Sequence, residues 1–135
     1  MRNPRSSSLD RRHSLSAIVA GAILSLAILG SAAPASAHSG LARAVPAPGA
    51  RVSPAPTAVA LTFTEALEPQ FSTIEVHNAQ RQRVDKADSH IAPDNPEQLI
   101  VDLEPLPPGV YFVFWRVTSV DTHRTTGSYP FTVKP

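Results

Sequence analysis

Val110 to Val117, V-Y-F-V-F-W-R-V, follows a rigid turn built from Pro105, Pro107, Pro108 and Gly109. Proline presets the backbone of such turns and glycine relieves it, so a new element starts at residue 110. The run is rich in aromatic and β-branched residues and apolar at odd and even positions alike, which predicts a central strand lying between two layers. Downstream, Ser128 to Val133 places Tyr129, Phe131 and Val133 at alternate positions, the period of a half-buried strand.

Working outward from this pair, the same alternation recurs. Val59, Leu61 and Phe63 alternate with Ala60, Thr62 and Thr64; Ile74 and Val76 mark a strand over Phe71 to His77; Leu99, Val101 and Leu103 mark another over Gln98 to Leu103. Leu41 to Val45 reads as a short edge strand ending at Pro46-Ala47-Pro48-Gly49. His90 to Pro96 reads as loop, and no segment carries a helical stripe. Short strands separated by Pro- and Gly-rich turns predict an all-β fold, an antiparallel β-sandwich or small barrel of about seven strands.

The first 37 residues belong to a different class. Four arginines and one aspartate in Met1 to Arg12 precede the apolar run Leu15 to Leu29, and small residues follow to Ala37. That order predicts a cleaved secretory signal peptide over 1–37 and a mature domain over 38–135. The apolar core from Ala17 to Leu29 is short of the ~20 residues a membrane-spanning helix needs. Ala35-Ser36-Ala37 fits the small-x-small cleavage rule and leaves His38 first; Ala33-Pro34-Ala35 also fits and would leave Ser36 first. Arg11-Arg12 is a partial twin-arginine match.

Cleavage after Ala37 leaves 98 of 135 residues. Of 12 basic and 11 acidic residues, eight and ten remain, so the formal charge falls from +1 to −2 and no basic patch argues for nucleic acid. There is no cysteine, and the only methionine is Met1. A small exported domain without disulfides must be held together by packing, and the mature chain offers no soft sulfur ligand.

Between the two strands that opened the reading lies S-V-D-T-H-R-T-T-G, residues 119 to 127. Asp121 and His123 stand at i and i+2, so on extended backbone a carboxylate and an imidazole project to one side. An N-terminal His38 would add a free amine and an imidazole able to chelate one ion. Three nitrogens and one oxygen suit the tetragonal preference of Cu(II), although Zn(II) can use the same ligands as a tetrahedron. Glu65 closes the strand read over Thr57 to Glu65, where the chain could turn towards such a site. Against this stand plainer readings: Asp121 and His123 in a solvated turn, His38 at a frayed terminus, and His77 and His90 solvated on a strand face and in a loop. A Ser119 or Ser128 triad with these residues lacks the geometry hydrolysis requires.

The order of pieces resembles the CopC proteins, small exported copper-binding domains. It rests on His38, Leu61-Thr-Phe-Thr-Glu65, Pro108-Gly-Val-Tyr111, Trp115-Arg-Val117 and Ser119-Val-Asp-Thr-His123 with Gly127 and Phe131-Thr-Val133. The resemblance implies a Greek-key β-sandwich of the Ig-like or cupredoxin-like kind, and Cu(II) held by the amine and imidazole of His38 with Asp121 and His123. Glu65 then matches an acid just outside the ligand set. Some members carry a Met-rich Cu(I) loop, expected here between about residues 77 and 92; this chain has no methionine there and resembles the Cu(II)-only type. The implied function is non-enzymatic: copper sequestration, resistance or delivery in the periplasm or extracytoplasmic space, as a monomer, with a copper-transport membrane protein as a partner. The competing expectations are a copper oxygenase resembling lytic polysaccharide monooxygenases, which also use an N-terminal histidine, and a metal-free Ig-like accessory module.

Overall fold

In a computed structural model of the chain, residues 40–135 are described. The expected signal peptide and His38 lie outside them. Eight strands follow in chain order: β1 (Leu41–Val45), β2 (Arg51–Val52), β3 (Ala58–Phe63), β4 (Thr73–Asn78), β5 (His90–Ala92), β6 (Asn95–Asp102), β7 (Gly109–Thr118) and β8 (Arg124–Val133). The only helical turn among the described residues is 3-10, Pro69–Phe71. One sheet has the order β1-β3-β6-β5 and the other β2-β8-β7-β4. All pairings are antiparallel except β2 with β8.

Alternation decides what enters the space between the sheets. Val59, Leu61 and Phe63 of β3 meet Ile74 and Val76 of β4, Leu99 and Val101 of β6, and Val113, Val117, Tyr129 and Phe131 of the β7–β8 hairpin in one buried cluster. Trp115 joins its edge, with its ring 6.4 Å from Phe63 in edge-to-face orientation and 6.2 Å from Tyr129. Burial pushes the Tyr129 phenol upward from its ordinary value, and its hydroxyl donates to the carbonyl of Pro46 at 2.9 Å.

Three expectations need correction. His90–Pro96 is not a loop: β5 and the start of β6 lie there, paired through Ile91 and Leu99. Three residues of β5 are too short to display a period, which is why the pattern missed it. The strand count rises accordingly from about seven to eight, with two-residue β2 below the length at which alternation is readable. Finally, β7 is central within its sheet but is covered on one face only. Val110, Phe112 and Phe114 point outwards and are 41%, 38% and 43% exposed, so apolar character on both faces did not mean burial on both.

Candidate metal centre

The β7–β8 hairpin closes through a five-residue turn, Ser119 to His123. The Ser119 N–H donates to the carbonyl of His123 at 2.9 Å, and the Thr122 N–H donates to the carbonyl of Ser119 at 2.8 Å. Thr122 takes a left-handed backbone (φ 76), uncommon for a β-branched residue. Asp121 and His123 are therefore brought to one side by a turn and not by strand alternation. The spacing in the sequence was informative, and the expected extended backbone was not the means.

The two side chains meet directly, with His123 Nδ1 2.9 Å from Asp121 Oδ2. Asp121 Oδ1 is taken by protein donors, the Ser119 hydroxyl and, more loosely, the His123 N–H at 3.4 Å. The Ser119 hydroxyl bond is the largest influence on the Asp121 carboxyl; desolvation opposes it, and with the added help of the His123 contacts the carboxyl is held down to about 2. The carboxylate is thus ionised throughout the range in which a metal could bind.

Glu65 comes from the other sheet. It leaves the end of β3 into the crossover towards β4, and this crossover is stitched to the hairpin turn by main-chain bonds. Val120 N–H donates to the carbonyl of Ala66 at 3.0 Å and Glu68 N–H to that of Thr118 at 2.8 Å, while Leu67 bridges Ser119. Glu65, Asp121 and His123 each consequently offer a ligand atom, all within 4.8 Å of one another. Asp121 and His123 are about half exposed, but Glu65 Oε2 is buried and has no hydrogen-bond partner. A solvated strand end would not leave a carboxylate oxygen in that condition. An unpaired buried oxygen next to two ligand-type side chains is the environment a cation or a proton donor would complete.

The start of the described chain reaches the same place. Gly40 N–H donates to Thr64 Oγ1 at 2.9 Å and Thr64 N–H to the carbonyl of Gly40 at 3.0 Å, which fixes Gly40 against the residue before Glu65. The other two histidines among the described residues, His77 and His90, are elsewhere. His77 Nε2 lies 3.1 Å from Glu75 Oε2, with its ring 5.3 Å from Phe114 on the outward face of the sheet, and His90 Nδ1 is 2.8 Å from the carbonyl of Asp88. Neither joins the cluster. Of the residues read as ligands, the structure brings together Asp121 and His123, with Glu65, read as the acid just outside them, alongside; His38 lies outside the described residues. The part of Ser119 in holding Asp121 went unread, because a serine two residues before an aspartate is common in any polar turn.

Comparison with known proteins places the chain among its relatives. Protein YobA of Escherichia coli K12 is 38% identical over 99 residues, covering 73% of this chain and 80% of that protein. Copper resistance protein C of Escherichia coli is 36% identical over 114 residues, covering 79% and 90%. Among solved structures, CopC from Methylosinus trichosporium OB3b superposes with a TM-score of 0.68 at 35% identity, covering 73% of this chain and 95% of that one. The names of copper resistance and CopC given to these relatives are not those of catalysts. Residues 41–134 match the family described as the CopC domain, and the chain belongs to that family.

Proposed function

We propose that the mature protein is a Cu(II)-binding protein of the periplasm or extracytoplasmic space, acting in copper sequestration, resistance or delivery and not in catalysis. Removal of residues 1–37 would leave His38 first, and its amine and imidazole would join Asp121 and His123 around the ion. Glu65 would stand just outside them. The observation that supports this best is the position of Gly40, bonded on both sides to Thr64. Two residues of chain span at most about 7 Å, so a histidine at 38 starts within reach of the Glu65–Asp121–His123 cluster.

The donor set matches the ion. Imidazole, amine and carboxylate at one site favour Cu(II) over the other divalent first-row metals, and no thiolate or thioether is present in the mature chain to favour Cu(I). Binding requires a deprotonated amine and neutral imidazoles. A copper-transport membrane protein is the partner proposed for delivery, with the domain itself a monomer.

Intact mass of the exported protein under native conditions, with and without one equivalent of Cu(II), tests the reading. A chain beginning at His38 that takes up one copper, and loses it when a serine is added before His38, is the expected result. A chain beginning at Ser36, or one that keeps no copper, would remove the amine from the site and end this assignment.

A further inference from the structure

We propose that Ser119 is the positioning residue of the copper site: its hydroxyl occupies Asp121 Oδ1 and so leaves Oδ2 as the one carboxylate oxygen presented to the ion. The inference rests on the Cu(II) reading above, in which Asp121 is a ligand.

Ser119 is fully buried at the last main-chain bond of the hairpin, whereas Asp121 and His123 are about half exposed. Its hydroxyl has a single proton and two acceptors in reach, Asp121 Oδ1 and the His123 carbonyl, the latter at 3.3 Å. A bond to an ionised acceptor is the stronger of the two, so the proton belongs to Asp121. The turn does not need it for closure, because the Ser119 N–H already satisfies the His123 carbonyl at 2.9 Å and Thr122 N–H satisfies that of Ser119. The hydroxyl is therefore surplus to the backbone and directed at the ligand.

The two oxygens of Asp121 are sorted as a result. Oδ1 faces the Ser119 hydroxyl and the His123 N–H, while Oδ2 faces the His123 ring at 2.9 Å. With bonds of about 2.0 Å, two ligands at right angles about one ion stand about 2.8 Å apart, close to the 2.9 Å of the Oδ2–Nδ1 hydrogen bond, whose proton must leave before both atoms could serve one ion. Without the serine hydroxyl, Oδ1 keeps only the long bond from the His123 N–H at 3.4 Å, and the half-exposed carboxylate is freer to turn and offer either oxygen, or both. Groups that only orient a ligand typically contribute 10–100-fold in metal affinity.

The test is a double-mutant cycle on the mature protein beginning at His38, with Cu(II) affinity measured by competition against a chelator and the bound ion followed by electron paramagnetic resonance. Ser119→Ala is expected to fold, to bind Cu(II) about 10–100-fold more weakly, and to shift the copper spectrum. Ser119→Thr, which keeps the hydroxyl, is expected to restore the parent spectrum. In an Asp121→Ala background, Ser119→Ala should cost nothing further. Parent-like affinity and spectrum in Ser119→Ala, or a loss of the same size with and without Asp121, would overturn the role of Ser119 while leaving Asp121 a ligand. If Asp121→Ala itself binds as the parent does, the ligand set is wrong and both proposals fall.

Discussion

The Trp115 indole lies across the Cα of Gly127, its β7–β8 register partner, so closely that a methyl group at residue 127 would come within 2.1 Å of the ring. No side chain fits there unless the only tryptophan moves. Gly127→Ala is expected to destabilise the domain by about 1–3 kcal/mol, the range for overpacking, and to red-shift tryptophan emission as the ring is displaced. Urea unfolding followed by fluorescence measures both, and unchanged midpoint and emission would contradict the contact.

Removing Asp121 or His123 should abolish tight copper binding without unfolding the metal-free domain, because both side chains are about half exposed and lie outside the core. The expected weakening for Asp121→Ala or His123→Ala is at least about 100-fold, beyond what a merely supporting residue contributes. Competition titration gives the affinity and thermal unfolding of the metal-free variants gives the stability. A large stability loss in the metal-free state would mean that the pair serves the turn first.

Glu65→Gln separates the acid from the ligands. It removes a charge whose Oε2 is buried and unpartnered, so the metal-free variant should be as stable as the parent or more so. Copper affinity should fall, since a negative charge close to the ion is lost. A variant less stable without copper and unchanged with it would place Glu65 in the structure of the crossover and not in the site.

Acidification should release copper through the nitrogens before the carboxylate. The Asp121 carboxyl titrates at about 2, whereas free imidazole titrates at about 6.5 and an α-amine at about 8. Affinity is therefore expected to fall steeply below about pH 6. The stability that Asp121 itself adds has the sign of a depressed acid: present above its unfolded value of about 3.9 and lost as pH falls towards about 2. Copper-dependent absorbance followed from pH 8 to 2 checks the order, and retention of the ion at pH 4 would exclude the histidine ligands.

Asp85 supplies an internal control far from the metal chemistry in role. Burial acts to raise its carboxyl, but the Arg83 guanidinium and the N–H groups of Val76 and Ala87 overcome this and leave it below its ordinary value. Its side chain is fully buried, so Asp85→Ala strands two main-chain donors and should cost on the order of 3 kcal/mol without altering copper affinity in the folded protein. Chemical denaturation and the competition titration test the two halves separately.

What was legible in the sequence follows the range of the interactions involved. β3, β6 and β8 announced themselves because alternation is local, and Leu61, Leu99 and Phe131 fell inside as the pattern required. Asp121 and His123 were legible as a pair, though the turn at Thr122 that joins them was not. The outward exposure of Phe112 and Phe114 was hidden, since composition cannot say whether a second layer exists. Glu65 was singled out as a strand end, but its burial depends on bonds between Ala66–Glu68 and Thr118–Val120, which join residues 50 and 54 positions apart in the chain. No local signal reports such a contact.

Those bonds are made by peptide groups alone: the carbonyl of Ala66, the N–H of Glu68 and Val120, and the carbonyl of Thr118. The placement of Glu65 beside the hairpin turn is thus indifferent to which side chains occupy positions 66, 68 and 120. Relatives could diverge freely at these three residues, proline at 68 or 120 excepted for want of an N–H, and still inherit the same geometry around the metal. Sequence divergence in this crossover is accordingly a poor guide to whether a relative has lost its site.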